Sequence, residues 1–243
     1  MKSKFLSVIL LCFVANMVRA AGGPSPSPET MFKQLATLAS TGNADVKYNL
    51  GMFYNNGIGT PRDNQAAFRY FLDAAEAGNL LAAYKVGCYY AGQFPGVVPI
   101  DLQTSITYKL RSAEGGYDLA QHDVGLYFSK EGKLPEALLW WEKASRQGHG
   151  PSTAYLAYYF SGTDSKNEVK GFALMLVLKE QMRMASKELA EKLASAEAKL
   201  SIDEKMQAER IKATWLIAPT SLTIAGRAGI SVVPALLESF DSK

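Results

Sequence analysis

Apolar positions along this chain recur with a helical period, and the same short pattern returns at intervals of roughly one helical hairpin. Setting Gly51, Gly87, Gly125 and Ala157 in register gives spacings of 36, 38 and 32 residues. One position before each stands Leu50, Val86, Val124 or Leu156, and five before stands Val46, Ala82, Ala120 or Ser152. Two and three positions after come the aromatic pairs Phe53-Tyr54, Tyr89-Tyr90, Tyr127-Phe128 and Tyr159-Phe160. At about 100° per residue these places fall within an arc of roughly 100°, so one helix face is buried in each of four units.

A second register ends at Gly78, Gly116 and Gly148, each placed to close a helix in the left-handed conformation. Eight positions earlier stand Tyr70, Tyr108 and Trp140; at −11 stand Ala67, Ser105 and Ala137; at −4 and −3 stand Ala74-Ala75, Ser112-Ala113 and Ala144-Ser145. Large aromatics alternating with small residues predict a helix that lets its neighbour approach closely while the aromatic fills the gap. In the fourth unit Gly171 and Leu174 take the −11 and −8 places, and residues 29–43 read as a lone helix of the second type. Each unit is thus two helices, neither able to bury its apolar face alone. The predicted fold is all-α: a right-handed α-α superhelix, or solenoid, of about four helix-turn-helix repeats with a helical C-terminal cap.

The stretch YNNGIGTPRD, residues 54–63, places Gly57 and Gly59 in the turn of the first unit. A dinucleotide fingerprint would need a third glycine where Arg62 stands and a strand before it, and a P-loop would need Gly-Lys-Ser/Thr. Because Gly92, Gly96, Gly132 and Gly162 fall in the matching turns at shifting offsets, the glycines are turn chemistry.

At this point the residues carry a resemblance. ADVKYNLGMFYNNGIGTPRDNQAAFRYFLDAAEAGN, residues 44–79, resembles a Sel1-like repeat, a relative of the tetratricopeptide repeat: small residue and Leu-Gly-x-x-Tyr, a Gly-x-Gly turn, an Asp opening the second helix, and an aromatic with Ala-Ala before the closing glycine. Residues 82–117 match with a longer turn, 119–149 with a shorter one and the Trp140-Trp141 pair, and 152–179 are more divergent. The resemblance spans about residues 29–215 and implies a binding scaffold.

The remaining organisation follows from the ends. Residues 1–20 carry Lys2 and Lys4, an apolar run from Phe5 to Val14, and Val18-Arg19-Ala20, the three-part order of a cleaved signal peptide with small residues at −3 and −1. The run is too short to span a bilayer. Residues 21–28 read as a linker, 29–179 as the repeat solenoid, 180–215 as capping helices and 216–243 as a tail that either folds back or docks on a partner. In the cap, Met182, Ala185, Leu189, Leu193, Ala196 and Leu200 keep helical spacing, and Ser201 to Glu204 forms a capping-box signature.

Cleavage changes the charge. The chain holds 26 basic and 23 acidic side chains, and losing Lys2, Lys4 and Arg19 leaves 23 of each, so no nucleic-acid footprint and no anionic-membrane patch is implied. Cys12 leaves with the signal and Cys88 remains alone, so no internal disulfide forms and packing must supply the stability. Candidate chemistry is sparse. The two histidines, His122 and His149, have no partner at metal-ligand spacing; His122 reads as a packed, hydrogen-bonded interior residue and His149 as a turn residue. No serine stands in a nucleophile elbow, so no catalytic, cofactor or metal site is expected, and no small-molecule substrate.

Export and fold together predict a periplasmic or secreted, non-enzymatic scaffold whose partner is another protein. The resemblance adds two narrower roles, immunity against a lipase-type toxin and negative regulation of a membrane receptor. The cysteine-rich relatives associated with β-lactams depend on a disulfide in each repeat, which this chain lacks. In tetratricopeptide-like stacks the first-type helices line the concave side, so positions −2 and +1 predict the binding surface: Asn49, Met52, Lys85, Cys88, Asp123, Leu126, Tyr155 and Tyr158. Tyr155 and Tyr158 stand out, since tyrosine is enriched at interface hot spots.

Overall fold

A computed structural model describes residues 26–162, 165–182 and 186–242. The predicted signal peptide and the first residues of the linker lie outside them. All regular elements among the described residues are helical: α1 (Pro28–Leu38), α2 (Ala44–Asn56), α3 (Asn64–Glu76), α4 (Leu80–Tyr90), α5 (Leu102–Glu114), α6 (Asp118–Lys130), α7 (Leu134–Ser145), α8 (Gly150–Ser161), α9 (Ser165–Gln181), α10 (Lys187–Lys199), α11 (Ile202–Thr214), α12 (Ser221–Ala228) and α13 (Val233–Asp241). The helices α2–α3, α4–α5, α6–α7 and α8–α9 pack as adjacent pairs, the four predicted units of an all-α repeat fold. The chain divides into two compact units, one of residues up to 79 with those from 228 onward, the other Leu80–Arg227.

Local chemistry sets the helix ends. Asp63 and Asp101 cap α3 and α5 alike, each carboxylate accepting two backbone N–H groups in the first turn. At the far ends Gly78, Gly116 and Gly148 all adopt positive φ, and Asn79, Tyr117 and His149 donate their N–H to the carbonyls of Ala74, Ser112 and Ala144. This closes each second-type helix with a Schellman turn. The capping box at α11 forms: Glu204 N–H reaches Ser201 Oγ, and Ser201 N–H reaches Glu204 Oε2.

Burial follows the repeat, with one displacement. The −5 and −1 places of the first-type helices are buried in all four units, the +2 aromatics are buried only in the first two, and the +3 aromatics are half-buried throughout. On the second-type helices the small residues at −11, −4 and −3 are buried as expected, but Tyr70, Tyr108 and Trp140 at −8 are only half-buried. The side chain over the register glycine comes instead from −7. A Cβ on Gly51 would lie 2.8 Å from Phe71 Cδ1, one on Gly87 2.7 Å from Lys109 Cγ, and one on Gly125 would overlap Trp141 Cδ1 and Nε1. Trp141, 3% exposed, is therefore the interior tryptophan of its pair. Trp140 stays at the surface with the Lys143 ammonium 4.0 Å above its ring. The two side chains differ by about 100° around the helix, enough to exchange core for surface.

In the first unit Leu35 of α1, Val46, Leu50 and Phe53 of α2, and Val233 and Leu237 of α13 form one core. The last helix of the chain thus folds back onto the first. In the second unit Trp141, Leu156, Phe172 and Leu174 join Leu193, Leu200, Ala208 and Trp215 of the cap. The cap is not the continuous helix its spacing suggested: α9 ends at Gln181 and α10 starts at Lys187, capped by Ser186 Oγ. Met184 and Ala185 lie outside the described residues.

Candidate functional site

The break after α9 sets the geometry of the site. Within Leu80–Arg227 the first-type helices α6 and α8 lie closely along the second-type helices that precede them, α5 and α7. The α10 helix makes a sparser contact with α9, burying Leu189 and Leu193 while the rest of KELAEKLASAEAK stays largely in water. Its polar composition permits no more, since only one narrow stripe is apolar. A groove of about 860 Å³ opens between α8 and α10.

Its lining is mostly apolar. Tyr155, Tyr158 and Tyr159 form the α8 wall, Trp141, Met175, Leu178 and Met182 the floor, and Leu189, Ala196 and Lys199 part of the α10 wall. Tyr155 stacks on Trp141 with ring centroids 4.7 Å apart, which fixes the floor and one wall as a rigid aromatic pair. Methionines beside it supply adaptable contact. At the rim Lys192 pairs with Glu188 at 2.8 Å, and that hydrogen bond and charge hold the Lys192 ammonium above its usual range. The volume lies in the range of binding clefts and far above a packing defect.

The residues expected on a binding face are distributed unevenly. Tyr155 and Tyr158 are exposed, 44% and 78%, on the groove wall. Met52, Lys85, Asp123 and Leu126 are half-buried. Asn49 and Cys88 are not available to a partner, a correction to the face assigned them: Asn49 is 3% exposed and donates Nδ2–H to the Asp45 carbonyl at 2.8 Å, and Cys88 is 8% exposed. Burial, opposed by the Lys109 ammonium, pushes the Cys88 thiol up, away from the reactive thiolate. Asp123 is occupied by Lys109, whose ammonium lies 2.7 Å from its carboxylate. Burial reaches only the −2 place in the first repeat and the +1 place in the second, so positions about 60° apart on one helix differ in access from repeat to repeat. The residues the sequence reading missed, Trp141, Met175, Leu178 and Met182, become a site only because α9 ends at Gln181 and a separate helix starts at Lys187; the serine N-cap at Ser186 was the available signal.

The two histidines, 27 positions apart in the chain, come together with ring centroids 4.6 Å apart. Both Nδ1 atoms lie 2.9 Å from Ser152 Oγ. Burial, then the neighbouring His122, lowers the His149 pKa to about 4. Burial also lowers that of His122. Ser152 is fully buried, which denies its hydroxyl to any substrate. Among the described residues no group of three or more His, Cys, Asp or Glu side chains could hold a metal ion, and no helix is long and apolar enough to cross a membrane.

Comparison with known proteins bears on this architecture. The Sel1 repeat family model matches residues 44–79, 80–117 and 118–149, which are the pairs α2–α3, α4–α5 and α6–α7 with their closing turns. The chain is similar to the solved structure of a Sel1 repeat protein from Oxalobacter formigenes, at 19% identity, a TM-score of 0.58, and 78% of this chain and 79% of that one covered. It is also similar to a protective antigen with an SLR fold present in uropathogenic Escherichia coli strains, at 18% identity, a TM-score of 0.49, and 84% of this chain and 50% of that one covered. No curated protein matches it in sequence. The pair α8–α9, which forms the groove wall and floor, lies beyond the matched repeats.

Proposed function

We propose, from the three Sel1 repeats matched at residues 44–149 and the general use of such repeats as scaffolds for protein interaction, that the chain is an exported, non-enzymatic adaptor that holds a protein partner in the α8–α10 groove. The observation that carries the reading is the groove: an aromatic and methionine surface left open where the repeat geometry stops. A folded chain spends free energy to keep such apolar area in water, and a partner that covers it recovers that cost. Tyr155 and Tyr158 supply the anchors, since a tyrosine ring buries large area with few torsions to freeze and keeps a hydroxyl for the rim. Export is supported by the order of charges, apolar run and small residues over positions 1–20.

The test is a Tyr155→Ala, Tyr158→Ala double variant of the full chain, compared with the otherwise wild-type chain, each carrying a photo-crosslinking residue in place of Ser195 on the opposite wall. The otherwise wild-type protein gives a crosslinked adduct with a discrete protein in the producing cell, and the double variant, folded by circular dichroism, loses it. An unchanged adduct in the folded double variant overturns the groove assignment.

A further inference from the structure

Residues 216–227 do not end the second unit so much as tie it. Ala218 donates its N–H to the Arg146 carbonyl at 2.8 Å and Thr220 its N–H to Gln147 Oε1 at 2.9 Å. The Gly116 carbonyl accepts from Thr220 Oγ1, Thr223 Oγ1 and Gln147 Nε2. Arg227 Nη2 closes the run, 2.6 Å from Asp118 Oδ2 and 2.9 Å from the Gln147 carbonyl. Asp118 is 2% exposed, so its carboxylate depends on that guanidinium for a counter-charge.

The latch lies beside the histidine pair: Arg227 Nη2 bonds the Gln147 carbonyl, two residues before His149, and a Cβ on Gly148 would lie 4.0 Å from that nitrogen. His149 caps α8: its Nδ1 accepts the Ser152 N–H at 3.3 Å, so this nitrogen carries a lone pair and the ring proton is on Nε2. The single hydroxyl proton of Ser152 then points at His149 Nδ1, and His122 must donate its own Nδ1–H to Ser152 Oγ. No other placement of protons satisfies all three contacts. A proton added at His149 Nδ1 orphans the Ser152 N–H and sets two donors at one distance from Oγ. It also places a cation beside His122 and among the charges that face the pair: Asp118 and Asp123 of α6, the latter already paired with Lys109 of α5, and Arg227 of α12.

We propose that residues 216–227 form an acid-released strap, latched by the Asp118–Arg227 ion pair and held closed only while His149 is neutral. A charged His149 attracts the Asp118 carboxylate and repels the Arg227 guanidinium, so the proton and the latch compete for one buried anion. The coupling is reciprocal: whatever the proton does to the strap, the strap does to the proton. Burial and then His122 lower the His149 pKa most, and the Arg227 guanidinium of the closed strap lowers it further, which sets the sign. The closed state binds the proton more weakly than the ordinary imidazole of an open state does, so closure is complete above about pH 6.5 and is lost progressively as the pH falls toward about 4. If release restored the ordinary imidazole in full, the opening constant would rise about 30-fold between about pH 7.5 and about pH 5, which is the upper limit.

The experiment is amide hydrogen exchange on the full chain at those two pH values, corrected for intrinsic rates, in wild type and His149→Asn. Asparagine keeps the helix cap and removes the titration. The expected result is a several-fold to about 30-fold increase in opening at residues 218–227 of the wild type, with α7 still protected, and no such increase in the variant. Equal opening in both proteins, no opening, or loss of α7 protection together with the strap overturns the proposal. An independent reading is the His149 titration by NMR in Arg227→Gln: its midpoint moves up toward the ordinary imidazole value, and an unmoved midpoint refutes the coupling.

Discussion

Gly125→Ala adds one methyl group at a place with no room for it. The new Cβ would overlap Trp141 Cδ1 and Nε1 and lie 3.0 Å from Cε2. The indole cannot retreat, since it is 3% exposed and Tyr155 stacks on it at 4.7 Å. Forcing a methylene into a packed interior costs about 1–3 kcal/mol. Replacing glycine by alanine within a helix returns up to about 1 kcal/mol. A rigid neighbour puts the steric cost at the upper end, so the net loss is about 1–2 kcal/mol. Gly150→Ala provides the control: it stands in the first turn of α8, and a Cβ there meets Leu178 Cδ1 at 3.7 Å, ordinary contact. That substitution should be neutral or stabilising by up to about 1 kcal/mol. The assay is urea unfolding followed by circular dichroism, completed as a cycle with Trp141→Leu. In the leucine background the Gly125→Ala penalty should shrink by about 1 kcal/mol or more, as expected of residues in contact. If Gly125→Ala behaves like Gly150→Ala, or its penalty is the same in both backgrounds, the −7 side chain does not set the spacing of the pair.

Two further outcomes follow from the ends of the chain. Leu237→Ala, at a site 5% exposed among Leu35, Val46 and Phe53, should destabilise the first unit by about 2–5 kcal/mol, read as lost exchange protection in α1 and α2; unchanged protection there would separate α13 from that core. The protein recovered from outside the cytoplasm should begin at Ala21, and an intact Met1 on Edman or mass analysis would refute cleavage.

The repeat pairs were legible because a helix buries one face and a glycine at a helix end has few alternatives. Leu50, Val86, Val124 and Leu156 are interior for that reason, and the turns after Gly78, Gly116 and Gly148 close as their residues require. Period alone could not tell Trp140 from Trp141, which differ by one position in an aromatic run. That choice depends on which ring meets Gly125 across the pair. The Lys109 position looks polar in sequence, yet its stem packs on Gly87 and its ammonium reaches Asp123. Asn49 and Cys88 were placed on a face by angle, but both side chains are buried.

What the sequence determined by itself was local and periodic: helix type, repeat length, caps such as Ser201, and turns. Each of these depends on residues within one or two turns of each other, where spacing is geometry. Only the tertiary structure decided the groove, because its walls α8 and α10 are brought opposite each other by a break whose angle no local pattern encodes. The same holds for the strap and the histidine pair. His122 and His149 share one serine, and Arg227 reaches Asp118 across 109 positions, only because stacked pairs carry distant segments into contact; such contacts are selected by packing and leave no periodic trace in the chain.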